Sequence, residues 1–441
     1  MNRRTFLSAS ALSFSGLQKL LASVPASTTD LYGSLVPDPN GVLDLPSGFS
    51  YQILSRTGQT MSDGLKVPGQ PDGMAAFPQK DGTVVLVRNH ELTFEMLNRS
   101  PFHDPLTYPE SLPREASYAP GNEGEPPQIG GTTTIHYSPK EKKVLREFLS
   151  LTGTDRNCAG GAMPWGSWIT CEEPENLAEG RTKNHGWCFE VKADPNSGLQ
   201  KAIPLKALGR FRHEAVALDP NSRVLYLTED RPDGLLYRFL PDTPDDFTSG
   251  TLQAAKLAKP DTRNWNKTSE PDKSPQKVEW IDLDDIDSPL DDLRHRGAAS
   301  GAAVFARSEG IIWSEDSLYI CATSGGPKRQ GQIFKLTPSS EASDTIELFL
   351  QPSESDLLTN GDNLCEGPSG HLVVCEDMIK EFAGTIPHVR GVTREGQIYT
   401  IAKNALNRSE FAGSCWDEAS QTLFVNIQNP GITLAITGPW S

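Results

Sequence analysis

Acidic side chains stand at both ends of a short hairpin pattern that recurs along the chain. Each copy has a polar or acidic residue, an apolar strand, a turn, a second apolar strand and another polar or acidic group. The six copies are residues 72–91, 157–173, 213–230, 307–324, 361–377 and 411–428. Because a hairpin returns the chain to its starting level, both ends of a copy lie together. We therefore expect ten carboxylates on one face of the fold: Asp72, Glu91, Glu173, Glu214, Glu229, Asp230, Glu309, Asp362, Glu376 and Asp377.

These carboxylates indicate a cation site. Like charges that share one face raise one another's pKa unless positive charge compensates them, and carboxylate oxygens are ligands that Ca²⁺ prefers. The sixth copy ends in Asn426 and Gln428, so the ring is lopsided, as a binding site can be. The alternative, that an acid only caps its own turn, is open for any single residue. Recurrence in five of the six copies favours a metal site.

The repeated hairpins predict the fold class. Six units separated by Gly, Pro, Asn and Asp are typical of an all-β protein, here a single six-bladed β-propeller over residues 27–441. The alternating stretch 49–53 would close the ring against the last blade. Two insertions, 101–128 and 241–300, are predicted as surface loops. The acidic run 282–292 lacks the Gly and terminal Glu of an EF-hand, so a solvated loop or short helix is favoured there over a calcium site.

The N-terminus has the pattern of an export signal. Arg3 and Arg4 form a twin-arginine pair, followed by a mildly apolar run and a small-residue cleavage site at 24–26. Residues 1–26 are therefore predicted to be a signal peptide read by the twin-arginine export machinery, which places the protein in the periplasm or outside the cell. The apolar run is too short and interrupted for stable membrane insertion.

The overall charge bears on possible partners. The 57 acidic and 41 basic residues give a net charge of −16, and no cluster of Lys and Arg interrupts this balance. Nucleic acid and anionic membrane surfaces are therefore not expected as partners.

The cysteines fall into two kinds. Seven is an odd number, which in an exported protein argues against a complete disulfide framework. Five of them sit in strand-like runs as expected for buried free thiols: Cys171, Cys188, Cys321, Cys375 and Cys415. Cys158 instead lies in a turn-rich segment, where a buried inert thiol is the alternative to a functional one.

Several motifs resemble the PhoX family of alkaline phosphatases. The most specific is 157–173, which begins Asn-Cys-Ala-Gly-Gly and ends Trp-Ile-Thr-Cys-Glu-Glu. Others are Arg-His-Glu at 212–214, Tyr-Leu-Thr-Glu-Asp at 226–230, Asp-Asn-Leu at 362–364 with Cys-Glu-Asp at 375–377, and the C-terminal segment 411–440. The resemblance covers essentially the whole mature chain.

The resemblance implies a six-bladed propeller that holds Fe³⁺ and several Ca²⁺ ions and hydrolyses phosphomonoesters. By motif position, Cys158 would bind iron as a thiolate, and Arg307 would grip the phosphate with its planar fork. Carboxylates of the iron–calcium core would be Glu173, Glu214 and Glu309. Further metal ligands would be Glu91, Glu229, Asp230, Asp362, Glu376 and Asp377.

The implied reaction is metal-assisted. A metal-bound oxo or hydroxo group would attack the phosphorus of a small phosphorylated substrate, while the cations and Arg307 neutralise charge. The chain departs from the family by lacking a phosphate-binding Lys upstream of Cys158, where Arg156 could substitute. His90 and His213 could support neighbouring ligands or be ordinary residues at strand ends.

Two other functions are open from the residues alone. One is a calcium-dependent propeller lactonase or esterase, which needs no thiolate. The other is a non-catalytic exported scaffold whose blades are held together by calcium. Propellers host many chemistries, so the fold by itself does not choose among these functions.

Overall fold

The computed structural model describes residues 28–122, 125–174, 183–266, 271–352, 358–378 and 385–440. The predicted signal peptide, residues 1–26, lies outside the described residues. In this part of the chain the regular structure is almost all β-strand, which confirms the all-β prediction. None of the described helices has the length and apolar character needed to cross a membrane.

The elements follow one another in long series of strands. Those of the first half are β1 (Thr28–Thr29), β2 (Leu35–Val36), β3 (Leu43–Pro46), β4 (Ser50–Arg56), β5 (Pro71–Pro78), β6 (Val84–His90), β7 (Gly130–Ser138), β8 (Lys143–Thr154), β9 (Asn157–Met163), β10 (Ser167–Glu172), β11 (Cys188–Lys192), β12 (His213–Leu218), β13 (Leu225–Glu229) and β14 (Gly234–Thr243). Those of the second half are β15 (Asp246–Leu257), β16 (Gln276–Asp282), β17 (Val304–Phe305), β18 (Ser308–Ser314), β19 (Ser317–Ala322), β20 (Gln332–Thr337), β21 (Thr345–Leu350), β22 (Gly361–Glu366), β23 (Leu372–Glu376), β24 (His388–Val392), β25 (Ile398–Asn404), β26 (Phe411–Asp417), β27 (Thr422–Ile427) and β28 (Ile432–Thr437). Within the described ranges, one short α-helix, α1, spans Leu293–Ala299, and 3₁₀ turns cover Phe94–Arg99, Arg114–Ala116, Lys206–Leu208 and Pro368–Gly370.

Six inner strands surround the central channel. They are β5, β9, β12, β18, β22 and β26; each contacts the next, and β26 contacts β5, so the ring closes. All six line one mainly apolar cavity of about 280 Å³. Their packing requires small residues: a Cβ on Gly73 would lie 2.5 Å from Cα of Ala159, and a Cβ on Gly310 would lie 2.6 Å from the carbonyl oxygen of Asp362.

Each inner strand carries one extra residue near its start. The register against the second strand of its hairpin shifts at residues 71–74, 157–160, 213–216, 308–311, 361–364 and 412–415. A β-bulge interrupts the ladder locally and re-aims side chains. In this fold the bulges turn the side chains of Cys158, Glu214 and Glu309 toward one mouth of the channel.

The strands form four separate sheets and one larger sheet. The four are β5–β8, β9–β11, β26–β27–β28–β4, and β22–β25 continued by β3, β2 and β1. The fifth runs through nine strands, β12–β13–β14–β15–β16–β21–β20–β19–β18, with β17 beside β14. Its two end strands contact each other, so it nearly closes on itself. As predicted from residues 49–53, β4 completes the sheet of the last unit, by pairing with β28.

The propeller-like class is confirmed, but six separate blades are not found. The reason lies in the insertion 241–300, which was predicted as a loop and instead supplies β15 together with β16. β16 pairs with β21 through Gln276–Ile346 and Lys277–Thr345, which joins two of the predicted blades into the nine-stranded path.

The two insertions are ordered by their own side chains. In 101–128, Phe102 and Tyr108 are buried and their rings lie 5.7 Å apart. The acidic run 282–292 is irregular and pairs with arginines, including Arg294 with Asp291 at 2.9 Å and Arg296 with Asp284 at 3.0 Å. These ion pairs favour the solvated-loop interpretation of that run over a calcium site.

Candidate metal centre

One backbone hydrogen bond is repeated six times around the mouth of the channel. In each unit, the amide N–H of the residue that follows the second strand donates to the carbonyl oxygen of the residue just before the first strand. The N–H···O pairs, 2.8 to 3.3 Å long, are Glu91–Gln70, Glu173–Arg156, Asp230–Arg212, Thr323–Arg307, Asp377–Asn360 and Gln428–Glu410. Each unit therefore presents three equivalent positions. The approach residue carries the accepting carbonyl oxygen, the inner residue is the second residue after it, and the exit residue carries the donating N–H.

The side chains at these positions define the site. The approach residues are Gln70, Arg156, Arg212, Arg307, Asn360 and Glu410; the inner residues are Asp72, Cys158, Glu214, Glu309, Asp362 and Ala412; the exit residues are Glu91, Glu173, Asp230, Thr323, Asp377 and Gln428. Most of them line a cavity of about 640 Å³, which Thr93, Glu95 and Met96 complete on one side.

Metal-ligating atoms gather in three groups. Within each group, one atom per residue lies within 4.8 Å of the others. The groups are Cys158–Glu173–Glu214, Glu214–Glu309–Asp362 and Asp72–Glu91–Glu410. Glu214 belongs to two groups, so its carboxylate could contribute to the binding of an ion in either of them. The last group joins the first and last units, where the Gln428 side-chain amide also donates to Asp72 at 2.9 Å and Glu91 at 2.6 Å.

Three arginines supply the positive charge of the cavity. Their ion pairs are Arg156–Glu91 (2.6 Å), Arg156–Glu173 (3.1 Å), Arg212–Glu173, Arg212–Asp230 (3.1 Å), Arg307–Asp230 (2.8 Å), Arg307–Glu309 (2.5 Å) and Arg307–Asp377 (3.5 Å). Burial raises the pKa of Asp230, but the attraction of Arg307 and Arg212 is stronger and holds that pKa below its usual value. Asp230 is therefore ionised without a metal ion.

Other carboxylates of the cavity lack such compensation. Burial, and then repulsion from Glu173 and Glu309, raises the pKa of Glu214 well above its usual value. Burial and Glu309 do the same to the pKa of Asp362, and burial and Glu91 to that of Asp72. A bound cation would relieve this repulsion, so these side chains fit a multinuclear metal site.

Cys158 adds a different donor to this set. Its side chain is buried, and burial followed by the charge of Glu214 raises the pKa of the thiol. A metal ion would displace the thiol proton, since the thiolate is the metal-binding form. One soft sulfur among carboxylates suits a transition metal, whereas the two all-carboxylate groups suit Ca²⁺.

A comparison with known protein families identifies the family of this chain. The sequence profile described as "Alkaline phosphatase PhoX" matches residues 30–431. The chain belongs to the PhoX family of alkaline phosphatases. Membership in the PhoX family confirms the resemblance seen in the sequence and the prediction of a phosphoester hydrolase.

One structural neighbour, with a TM-score above 0.5, supports the fold of this PhoX-family chain. Pseudomonas fluorescens PhoX in complex with vanadate, a transition state analogue, is 20% identical over 94% of this chain and 97% of that one, with a TM-score of 0.65. A Xanthomonas campestris gluconolactonase is 13% identical over 95% and 99% of the two chains, with a TM-score of 0.37. The Pseudomonas aeruginosa periplasmic gluconolactonase PpgL is 11% identical over 87% and 90%, with a TM-score of 0.41. A comparison with curated proteins finds no match.

The structure brings nine of the eleven predicted site residues into the cavity. These are Glu91, Cys158, Glu173, Glu214, Asp230, Arg307, Glu309, Asp362 and Asp377. The other two, Glu229 and Glu376, point to the opposite side of their strands, because successive side chains of a strand alternate. Glu229 accepts hydrogen bonds from Tyr237 Oη at 2.8 Å and the Leu235 amide at 3.1 Å.

His90 and His213, which adjoin site residues, make their contacts within their own units. The ring of His90 bonds the carbonyl oxygen of Gly69 and the hydroxyl of Thr133, both at 2.8 Å. His213 bonds the carbonyl oxygen of Gly209 at 2.9 Å and stacks on Phe211 with ring centroids 3.6 Å apart. The alternative interpretation, that they are ordinary residues at strand ends, is the one these contacts favour.

Two acidic residues of the three ligand groups were absent from the predicted ligand set. Asp72 had been placed on the acidic face without a ligand role. Glu410 was missed, because the sixth hairpin copy was taken to begin at Phe411. Its signal is positional: Glu410 stands two residues before Ala412, as Arg307 stands two residues before Glu309.

The neighbouring acids Glu376 and Asp377 offer a matched pair of variants. Glu376 is buried, pairs with Arg390 at 2.9 Å and accepts the His388 amide at 2.8 Å, whereas Asp377 lines the cavity. We expect Asp377→Asn to lower kcat/KM for a phosphomonoester at least about 10-fold with little change in stability. Glu376→Gln should cost about 1–3 kcal/mol of unfolding free energy and leave kcat/KM within about twofold. Phosphate release and thermal melting measure both; equal losses of activity would contradict this division.

Proposed function

We propose that the protein is an exported phosphatase that hydrolyses phosphomonoesters at an iron–calcium centre in the channel mouth. The observation that carries this proposal is the buried Cys158–Glu173–Glu214 group in the same cavity as Arg307. A lactonase or a calcium-held scaffold needs no thiolate among its ligands and no arginine at the ligand cavity.

The proposed ligands follow from the three groups. Cys158, Glu173 and Glu214 would hold iron, and the carboxylates Glu214, Glu309, Asp362, Asp72, Glu91 and Glu410 would hold calcium, with Asp230 and Asp377 beside them. When bound, such ions activate water for attack and neutralise charge on the phosphoryl oxygens. Glu229 and Glu376 are left out of this set because hydrogen bonds within their own units occupy them.

Arg307 is the residue that we propose binds the phosphoryl group. Burial lowers the pKa of its guanidinium, but the attraction of Asp230 and Glu309 is stronger and raises that pKa well above its usual value, so the group stays charged. Its side chain is 25% exposed toward the cavity, whereas Asp230 and Glu309 are almost fully buried. Those carboxylates orient the planar fork, which can meet two phosphoryl oxygens at once.

Arg156 and Arg212 form ion pairs with the proposed metal ligands. Arg156 lies in the stretch where the family's Lys is missing, and it holds the side chains of Glu91 and Glu173. Arg212 holds Glu173 from the other side. Arg156 also lines the cavity, so it is available to a second phosphoryl oxygen.

Phosphate release from p-nitrophenyl phosphate at alkaline pH, with calcium supplied and then chelated, tests the proposal. We expect release that depends on calcium and falls about 10²–10³-fold in Arg307→Ala, which removes an electrostatic stabiliser of the transition state. Arg223→Ala is the matched control, since Arg223 lies in a turn at the far end of its hairpin. A folded, metal-replete protein that releases no phosphate would overturn the proposal, and lactones would be tested next.

The proposal also includes export of the protein and a six-bladed propeller fold. The twin-arginine pattern at Arg3 and Arg4 supports export, and a mature chain that begins near residue 27 in a periplasmic or extracellular fraction is the test. The six repeated hydrogen bonds support a six-bladed propeller in which two blades share the nine-stranded sheet. An experimental structure with six distinct units around the channel is the corresponding test.

A further inference from the structure

The ring of exit residues lacks an acidic or amide side chain at one position, Thr323, which we call the gap. Thr323 differs from the other five exit residues in being neither an acid nor an amide, and it belongs to the unit of Arg307. Its neighbours around the ring, Asp230 and Asp377, both pair with Arg307. The Thr323 side chain itself is buried. An anionic substrate held by Arg307 meets the least repulsion on this side of the mouth, so its remaining part should leave the cavity over the unit that carries Thr323.

Two arginines stack on a tryptophan beside this gap. The Cζ atoms of Arg263 and Arg329 lie 4.5 and 4.4 Å from the ring centroid of Trp265. The indole N–H of Trp265 donates to the carbonyl oxygen of Ser324, the residue after Thr323, at 2.7 Å. We call Arg263, Trp265 and Arg329 the rim stack.

The rim stack is attached to the gap through a second contact. The side-chain amide of Asn360, an approach residue, donates to the carbonyl oxygens of Thr323 at 2.7 Å and Arg329 at 2.9 Å. The backbone amide of Arg329 also bonds the carbonyl oxygen of Gly326 at 3.0 Å, which fixes the turn that carries it. The gap and the stack are therefore held in one rigid arrangement.

The two arginines of the rim stack differ in their partners. Arg263 pairs with Asp261 at 2.8 Å. Arg329 is exposed, and within the described residues no carboxylate pairs with it. Stacking on an indole holds a guanidinium flat and leaves the donors in its plane available. Arg329 is thus an oriented, exposed cation on the same unit as Arg307, outside the residues that line the cavity.

We infer that the rim stack binds a second anionic group of the substrate, a carboxylate or a phosphate carried by the leaving alcohol. This inference rests on the proposed phosphatase function. Arg307 holds the phosphoryl group that is transferred, the leaving group extends over the unit that carries Thr323, and Arg329 meets the second anion with its planar fork. The preferred substrates are phosphomonoesters of hydroxy acids or of sugars that carry another phosphate.

Two substrates of nearly equal size test the inference. 3-Phosphoglycerate carries a carboxylate on its leaving group, whereas the leaving group of glycerol 3-phosphate is neutral. We expect Arg329→Gln to lower kcat/KM for 3-phosphoglycerate about 10–100-fold and to change kcat/KM for glycerol 3-phosphate less than about twofold. Fructose 1,6-bisphosphate in place of 3-phosphoglycerate distinguishes a phosphate from a carboxylate as the second anion.

The control is an arginine stacked on a tryptophan at the other end of the fold. The Cζ atom of Arg223 lies 5.7 Å from the ring centroid of Trp165, which stands in the turn between β9 and β10. Arg223→Gln should leave both substrates unaffected. An unchanged ratio of the two substrates in Arg329→Gln, or equal losses on both, would overturn the inference while the phosphatase proposal stands. No phosphate release from either substrate by the parent protein would instead be a failure of the proposed function.

Discussion

Replacing Cys158 with alanine is expected to lower phosphate release more than about 100-fold and to remove iron from the purified protein. Cys158 supplies the sulfur donor in the group it forms with Glu173 and Glu214. Without it, two carboxylates and no soft ligand hold the ion, so a hard cation such as Ca²⁺ competes more successfully for the position. Elemental analysis together with steady-state kinetics measures both effects.

Cys321→Ala is the matched control for this variant. Cys321 is also fully buried, but it lies in the apolar cluster around Leu372 and Ile398, outside the cavity. We expect a loss of about 1 kcal/mol of unfolding free energy with iron content and kcat/KM retained. If Cys158→Ala kept its iron and its activity, Cys158 would be the inert buried thiol that the sequence left as an alternative.

Removal of the metal ions is expected to destabilise the protein most strongly at alkaline pH. In the metal-free protein, burial raises the pKa of Glu309 to about 7, and burial and repulsion raise the pKa values of Glu214, Asp362 and Asp72. A carboxyl whose pKa is higher in the folded than in the unfolded state favours folding at low pH. That stability is lost as the pH rises from about 4.3, the usual carboxyl pKa, toward about 7.

The metal-loaded protein should respond to pH with the opposite sign. Its ligands must be deprotonated, so acid weakens metal binding and lowers the melting temperature. Thermal melting between pH 5 and pH 9, with calcium and with a chelator, should therefore give slopes of opposite sign. The shift at Glu309 alone corresponds to roughly 3 kcal/mol. Parallel slopes would contradict the assignment of these carboxylates to metal ions.

A single variant, Glu214→Gln, tests the same assignment through the melting temperature. Glu214→Gln removes a buried charge that lies in two of the ligand groups. At alkaline pH it should raise the melting temperature of the metal-free protein and lower that of the metal-loaded protein. A uniform loss of stability in both states would instead mark Glu214 as a packing residue.

The convergence of the site could be predicted from the sequence because it follows from local geometry. A hairpin of two short strands returns to its starting level whatever the sheet around it does, so residues such as Cys158 and Glu214 had to meet at one mouth. The choice between Glu229 and Asp230 could not be predicted in this way. It depends on where the bulge in β12 falls and on where β13 ends, and two adjacent acids look equivalent in a sequence.

Two further features of the structure could not be predicted from local sequence patterns. The sixth unit has Ala412 at its inner position, so the acidic residue two positions earlier, Glu410, did not look like part of the ring. The pairing of β16 with β21 joins strands that are far apart in the chain, and edge pairing of this kind depends on the arrangement of neighbouring units. Part of the predicted loop at 241–300 is therefore sheet, as β15 and β16, and joins two of the predicted blades.

The last unit of the ring is completed by a strand from the other end of the chain. β4, from the N-terminal part of the chain, pairs with β28, and Gln428 of that unit bonds Asp72 and Glu91 of the first. The group Asp72–Glu91–Glu410 crosses the same seam. Under the proposed function, an ion held there would join the two ends of the molecule, so a partly synthesised or truncated chain would have no complete site to load. Metal occupancy would then distinguish finished molecules from unfinished ones.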